Sequence, residues 1–368
     1  MNAFRLNSPA FEGSDRTRID VQGHIGQMYD GMKKQTYTYS GQNIIDTVSI
    51  HNVKKVLVSS LSGLNPRDNN LFKDEAAANK ELIEECKKSD GKLFALATCQ
   101  PGITSDTRAI EEIVSRDKFY GMKFHPTNTG KSVKDNFDIY SKYMDVAEKH
   151  GLPCVFHSVT DGKSDPLEII RLAEKHKKLP VVLYHIDLGS SKEQFEKTIN
   201  AISESVKAKK SNIFVDISWL TDIWPDNAQK NKDIIKMSLD KLGPERILFG
   251  SDTPITEMGD KNLYGKFVDF IENTTKEFFR EKNNEAGAEK ALNNIFYDNA
   301  EEIFFEKKWH KNSLMKKSKI AAICFAGAAV ILGGGFYVYN KMQHAKALKS
   351  SDKSPSQVVK NQGLSIEV

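Results

Sequence analysis

Residues 120–157 read YGMKFHPTNTGKSVKDNFDIYSKYMDVAEKHGLPCVFH, and this stretch decides the fold class. The run 120–125 is short, mostly apolar and ends in a histidine. Apolar residues then recur at helical spacing over 137–150, and Gly151 stands where a helix stops. A second apolar run, 153–157, again ends in a histidine. A strand, a helix and a strand in this order make a βαβ unit, because two parallel strands need a long crossover between them.

The alternation continues in both directions. Strand-like runs lie at 18–25, 54–59, 92–98, 120–125, 153–157, 181–185, 213–218 and 246–251. Amphipathic stretches of helical length lie between them at 75–88, 105–115, 137–150, 166–177, 193–208 and 232–242, with breakers such as Gly91, Gly121, Gly151 and Gly243 between elements. Eight strands alternating with helices predict a parallel sheet, and eight is the number that closes a barrel. The rival is an open doubly wound sheet, which usually places a phosphate loop after its first strand; neither G-x-G-x-x-G nor a Walker sequence follows residue 25. The expected fold is therefore α/β, a TIM (β/α)8 barrel over 18–305, closed by helices at 261–280 and 289–305 and preceded by an extension, 1–17.

Beyond the barrel, 306–319 reads as a basic linker and 320–339 (IAAICFAGAAVILGGGFYVY) as twenty uncharged residues. That length crosses the roughly 30 Å hydrocarbon core of a bilayer as one helix. The expectation is a single C-terminal transmembrane helix, followed by a disordered polar tail, 340–368. A buried helix of a soluble protein fits this segment less well, given its lack of polar residues. Residues 311–368 carry nine lysines against two acids, whereas 1–310 are slightly acidic. Basic charge around an apolar run suits anionic lipid headgroups, and an acidic body gives no reason to expect a nucleic-acid partner. The N-terminus has no apolar core of signal-peptide length, so the catalytic domain of the expected membrane protein should stay on the cytoplasmic side. Cys86, Cys99, Cys154 and Cys324 show no zinc or redox spacing and suit a reducing compartment; Cys154 reads as packing.

In a barrel, chemistry gathers at the C-terminal ends of the strands. Gln22 and His24 close the first strand and share a face. Lys123 and His125 close the fourth, His157 the fifth and His185 the sixth; Asp216 lies near the end of the seventh, and Asp252 follows the eighth. A single strand-end histidine is most often a satisfied core residue. Four at equivalent positions, with a late aspartate, make a plausible ligand set for a divalent metal. His51, His150, His176, His310 and His344 lie in helical or tail segments and read as surface residues.

The segments IDVQGHIG, GMKFHPTN, GLPCVFHS, VVLYHIDLG, FVDISW, RILFGSDTPI and NNIFYDNAEEIF, in that order, resemble the amidohydrolase-related family, metal-dependent (β/α)8 hydrolases with some decarboxylases. The resemblance covers most of 17–305. It implies a divalent ion, zinc or alternatively manganese, held by His24, His157 and Asp252, with His185 as acid/base or water-orienting group and Asp252 also accepting a proton. The family's first histidine is replaced here by Gln22, a weaker ligand. Binuclear relatives carry a carbamylated lysine at the place of Lys123; without the histidine pair, Lys123 is expected instead to hold an anionic substrate group or to pair with an acid. His125 is either a substrate contact or a strand-end cap. The implied activity is hydrolysis of an amide, lactone or similar C–N or C–O bond in a small molecule through metal-activated water. The alternatives are non-oxidative decarboxylation and, because of Gln22, a degenerate barrel that binds or scaffolds at the membrane without turnover.

Overall fold

Valine, isoleucine, leucine and phenylalanine run almost unbroken through the predicted strands, the pattern of strands covered on both faces. In the computed structural model they form β1 (Arg18–Asp30), β3 (Val53–Ser60), β4 (Leu93–Cys99), β5 (Gly121–Phe124), β6 (Cys154–His157), β7 (Pro180–Tyr184), β8 (Asn212–Asp216) and β9 (Ile247–Leu248), all parallel and paired in chain order. The structure describes residues 15–310 apart from 31–33, 65–70, 105, 161, 187–190, 219–227, 256–259 and 308. The chain divides into two units, 1–310 and 311–368, and the second lies outside the described residues, as does the expected membrane segment 320–339. Among the described residues no helix is long and apolar enough to cross a membrane.

The sheet curls until its last strand meets its first. Val21 N donates to Phe249 O (3.0 Å), Asp252 N to Gln22 O (3.0 Å) and His24 N to Thr253 O (2.8 Å). With helices outside, this is the TIM-like barrel that the alternation predicts. The helices are α1 (Gly41–Val48), α2 (Glu75–Lys87), α3 (Arg108–Arg116), the single turn α4 (Pro126–Thr129), α5 (Phe137–His150), α6 (Pro166–Lys175), α7 (Lys192–Lys207), α8 (Ala228–Leu242), α9 (Lys261–Glu281) and α10 (Glu285–Asn293). Local chemistry sets their ends. Ser40 and Ser191 start α1 and α7 with capping boxes, Asp165 caps α6 ahead of Pro166, and Gly151 ends α5 at φ +65°.

Two apolar layers result. Ile19, Val21, Leu57, Leu96, Val155, Val182 and Leu248 form one cluster with Ile303 and Phe304. The other cluster joins strand residues such as Val56, Val58 and Phe156 to helix residues such as Ile44, Ile169 and Ile199. In β1, a register shift between Asp20 and Gly23 re-phases the strand, so that Val21 packs in the first layer and Gln22 and His24 turn toward the cavity end.

Several expectations are corrected. The hairpin strand β2 (Gln35–Tyr39), antiparallel to the far end of β1, and the helix α1 fall in a region the rhythm left unassigned. The closing helix expected over 289–305 is α10 followed by wide helical turns at Asn294–Asp298 and Glu301–Glu306. His51 and His176 are buried rather than on the surface. His51 Nε2 bonds to Lys261 O (2.7 Å) with its ring on Tyr264, and His176 Nε2 bonds to Ser141 Oγ (2.9 Å).

Candidate active site

A cavity of about 470 Å³ opens among His24, His125, His157, His185 and Asp252. These are five of the strand-end residues that the sequence singles out. Asp252 follows β9 at φ +68° and His185 follows β7 at φ +61°. A left-handed backbone costs a non-glycine residue roughly 1 kcal/mol or more and is held only where surrounding structure enforces it. The enforcing contacts are visible. The Asp20 carboxylate accepts from Ser251 N (3.0 Å), Ser251 Oγ (2.5 Å), Tyr264 Oη (3.0 Å) and Gln22 N (3.0 Å), which fixes the turn before Asp252. Asp216 Oδ1 accepts from His185 N (2.8 Å), which fixes the turn after β7. Burial pushes Asp20 up to about 6 and Asp216 up to about 7.

The polar side chains form one connected chain of hydrogen bonds, and their donors can be assigned by elimination. Ser218 Oγ donates to Asp216 Oδ1 (2.8 Å), so it accepts from His185 Nδ1–H (2.9 Å). His185 Nε2 is then an acceptor, and Gln22 Nε2 donates to it (3.0 Å). Gln22 Nε2 also donates to Asp252 Oδ1 (2.6 Å). A carboxylate only accepts, so His24 carries its proton on Nε2, toward Asp252 Oδ1 (2.8 Å), and its Nδ1 accepts from Ser59 Oγ (3.2 Å). Burial first, then the neighbouring His157, drives His185 well below the usual imidazole range, as neutrality of the ring requires.

The remaining predicted residues fall around this chain. His157 stacks on His125, with ring centroids 3.8 Å apart, and meets His185 edge-on at 4.9 Å. Of the two roles expected for His125, the cap is observed. Its Nδ1 accepts from Asn128 N (3.3 Å) as the cap of α4, and the ring lines the cavity; burial and His157 keep it neutral, with its proton on Nε2. Lys123 is buried below the cavity wall, its ammonium 4.0 Å over the Tyr184 ring. Burial lowers it to about 7, against the pull of Asp252 and Asp216. Sequence reasoning missed Ser59, Ser218, Asp20 and the apolar wall of Met28, Leu61, Leu64, Val159 and Ile255. The spacing Asp216-x-Ser218 at the end of a predicted strand is the signal that was present.

The donor set departs at Gln22 from the one that the resemblance implies, since that side chain turns its amide nitrogen, not its oxygen, to Asp252. Around a four-coordinate zinc with bonds of about 2.0 Å, donor atoms stand about 3.3 Å apart. Here His24 Nε2 and Asp252 Oδ1 are 2.8 Å apart with a hydrogen bond between them, and the Gln22 nitrogen 2.6 Å from the same oxygen is no metal donor. Among the described residues no group of three His, Cys, Asp or Glu is placed to hold a metal.

The sequence profile of the amidohydrolase family matches residues 64–305. The chain belongs to that family. No curated protein matches the chain. Among solved structures, this amidohydrolase-family chain is similar to a probable 2-pyrone-4,6-dicarboxylic acid hydrolase from Acinetobacter baumannii with citric acid bound (16% identity, 78% of this chain and 99% of that one, TM-score 0.54). It is also similar to the 2,6-dihydroxybenzoate decarboxylase from Rhizobium (15%, 78% and 98%, 0.56). A third is a 5-carboxyvanillate decarboxylase from Novosphingobium aromaticivorans with bound manganese (14%, 80% and 97%, 0.55). At these identities the likeness establishes the shared fold, and the neighbours span hydrolases and decarboxylases.

Proposed function

We propose that the cavity hydrolyses an amide, lactone or similar C–N or C–O bond of a small cyclic molecule, with Asp252 as the proton carrier. One observation supports this most. Asp252 Oδ1 is occupied by Gln22 and His24, while no described residue hydrogen-bonds to Oδ2, and the residue lines the cavity. Oδ2 takes the proton of an attacking water, the oxygen of that water bonds to the carbonyl carbon, and the C–O or C–N bond breaks as Asp252 returns the proton to the leaving group. His125, neutral with Nε2–H, donates to the carbonyl oxygen as negative charge develops there. The apolar wall holds the ring of the substrate and keeps bulk water out. No step is routed through zinc or manganese, because Gln22 presents an amide N–H rather than a metal donor to Asp252.

Decarboxylation is the second reading. It is favoured by the apolar wall, which has no lysine or arginine among its described lining residues and would raise the energy of a bound carboxylate. In that reaction Asp252 starts protonated and gives its proton to the carbon that loses carbon dioxide. Incubation of the purified chain with cyclic lactones, amides and hydroxybenzoates, read by mass spectrometry, separates the two. Hydrolysis adds water to the substrate; decarboxylation removes carbon dioxide. Turnover of neither class, with or without added zinc and manganese, defeats both readings. The sequence alone supports attachment to a membrane through 320–339, with the barrel on the cytoplasmic side. On that proposal the full chain stays with the membrane pellet in alkaline carbonate, and its release there overturns the attachment.

A further inference from the structure

We propose that Gln22 makes this site independent of metal, its amide standing in for an ion by donating one proton to Asp252 and the other to His185. The inference rests on the reading of the cavity as an active site. It deepens that reading by assigning Gln22 as the positioning residue that takes over the ion's organising role.

The amide is set in one orientation by its neighbours. Both atoms it faces are acceptors: a carboxylate oxygen at 2.6 Å and, through the Asp216–Ser218 relay, the unprotonated nitrogen of His185 at 3.0 Å. Turning the amide over would set Gln22 Oε1 against Asp252 Oδ1, two acceptors in hydrogen-bond contact with no proton between them. The chosen orientation leaves Oε1 buried without a hydrogen bond among the described residues, so the side chain gives up one acceptor to supply two donors. A metal and an amide NH₂ solve the same problem. Asp252 and His185 both present lone pairs to one point, and something electropositive must occupy it. His24 completes the set from the far side with a third N–H. A histidine at position 22 would bring one lone pair and at most one proton in place of two protons. With His24, His157 and Asp252 it would complete a set of lone-pair donors that suits a cation, which is how one side chain selects between the two chemistries.

The test uses the full chain, purified in detergent, as wild type, Gln22→His and Gln22→His/Asp252→Asn. Each is incubated with excess zinc or manganese chloride, desalted, and its metal content measured. The wild type is expected to retain less than about a tenth of an ion per chain, Gln22→His about one, and the double variant to lose it again. Wild-type melting is expected to be the same in chelator and in zinc. A wild type that keeps a stoichiometric ion, lost in Asp252→Asn, overturns the proposal, and so does a folded Gln22→His that gains none. If Gln22→His fails to fold, the wild-type metal content and melting still decide. Because metal content needs no substrate, failure here is distinct from failure of the proposed reaction.

Discussion

The two oxygens of Asp252 differ in their surroundings. Oδ1 is held by Gln22 and His24, whereas no described residue hydrogen-bonds to Oδ2, the oxygen that the proposed reaction uses. Asp252→Asn keeps the shape and removes the proton carrier, so kcat is expected to fall about 10²–10⁴-fold with KM little changed; steady-state kinetics on the substrate found by the screen checks this. Ser218 acts one bond further out. It fixes the tautomer of His185 by accepting its Nδ1–H and donating its own O–H to Asp216. Ser218→Ala should lower kcat about tenfold or more and shift the pH–rate profile, and Ser218→Thr should restore both. Residue types at strand ends were legible in the sequence: Gln22, His24, His125, His157, His185 and Asp252 all reach one place. The sense of each hydrogen bond was not. Whether Gln22 presents its oxygen or its nitrogen depends on what β7 and the turn after β9 place opposite it, and no spacing within β1 encodes that.

The site exists because elements approach closely where β8, β9 and β1 meet. Gly250 sits at that seam. A Cβ there would lie 2.4 Å from Asp216 Oδ2 and 3.2 Å from Gln22 Cβ. Asp216 cannot swing away without breaking its bonds to His185 N and Ser218. Gly250→Ala is therefore expected to cost about 1–3 kcal/mol and to reduce activity beyond what the loss of folded protein explains. Denaturant melts alongside kinetics at a temperature where the variant is folded would show it; unchanged stability would mean that the seam has slack. The βα rhythm was readable because buried strands are continuous apolar runs and outer helices carry amphipathic spacing. β2 was not, because its residues are largely exposed and it pairs only with the extension of β1. β9 shrank to two residues because its continuation bends into the site instead of pairing with β8.

Across the whole molecule, Glu75 ties three elements together away from the cavity. It opens α2, is 4% exposed, and its Oε1 accepts from Gln100 N after β4 (2.5 Å) and from Tyr143 Oη on α5 (2.8 Å). Burial raises it from 4.5 to about 7, more than these two bonds lower it. Between those values the folded chain holds a proton that the unfolded chain has released. Stability from this group is thus fully present below about 4.5, falls as pH rises through the window, and is gone above about 7. Glu75→Gln supplies a neutral side chain with the same acceptor oxygen and no charge to bury. Other groups titrate in the same range, notably the buried histidines, whose depressed values act with the opposite sign. The informative quantity is therefore the difference in melting temperature between Glu75→Gln and wild type. It should move in favour of the variant from pH 4.5 to 7 and level off above that. A difference that stays flat would show that Glu75 keeps its charge when folded, and that water or a rearranged Gln100 and Tyr143 stabilise it more than this packing provides.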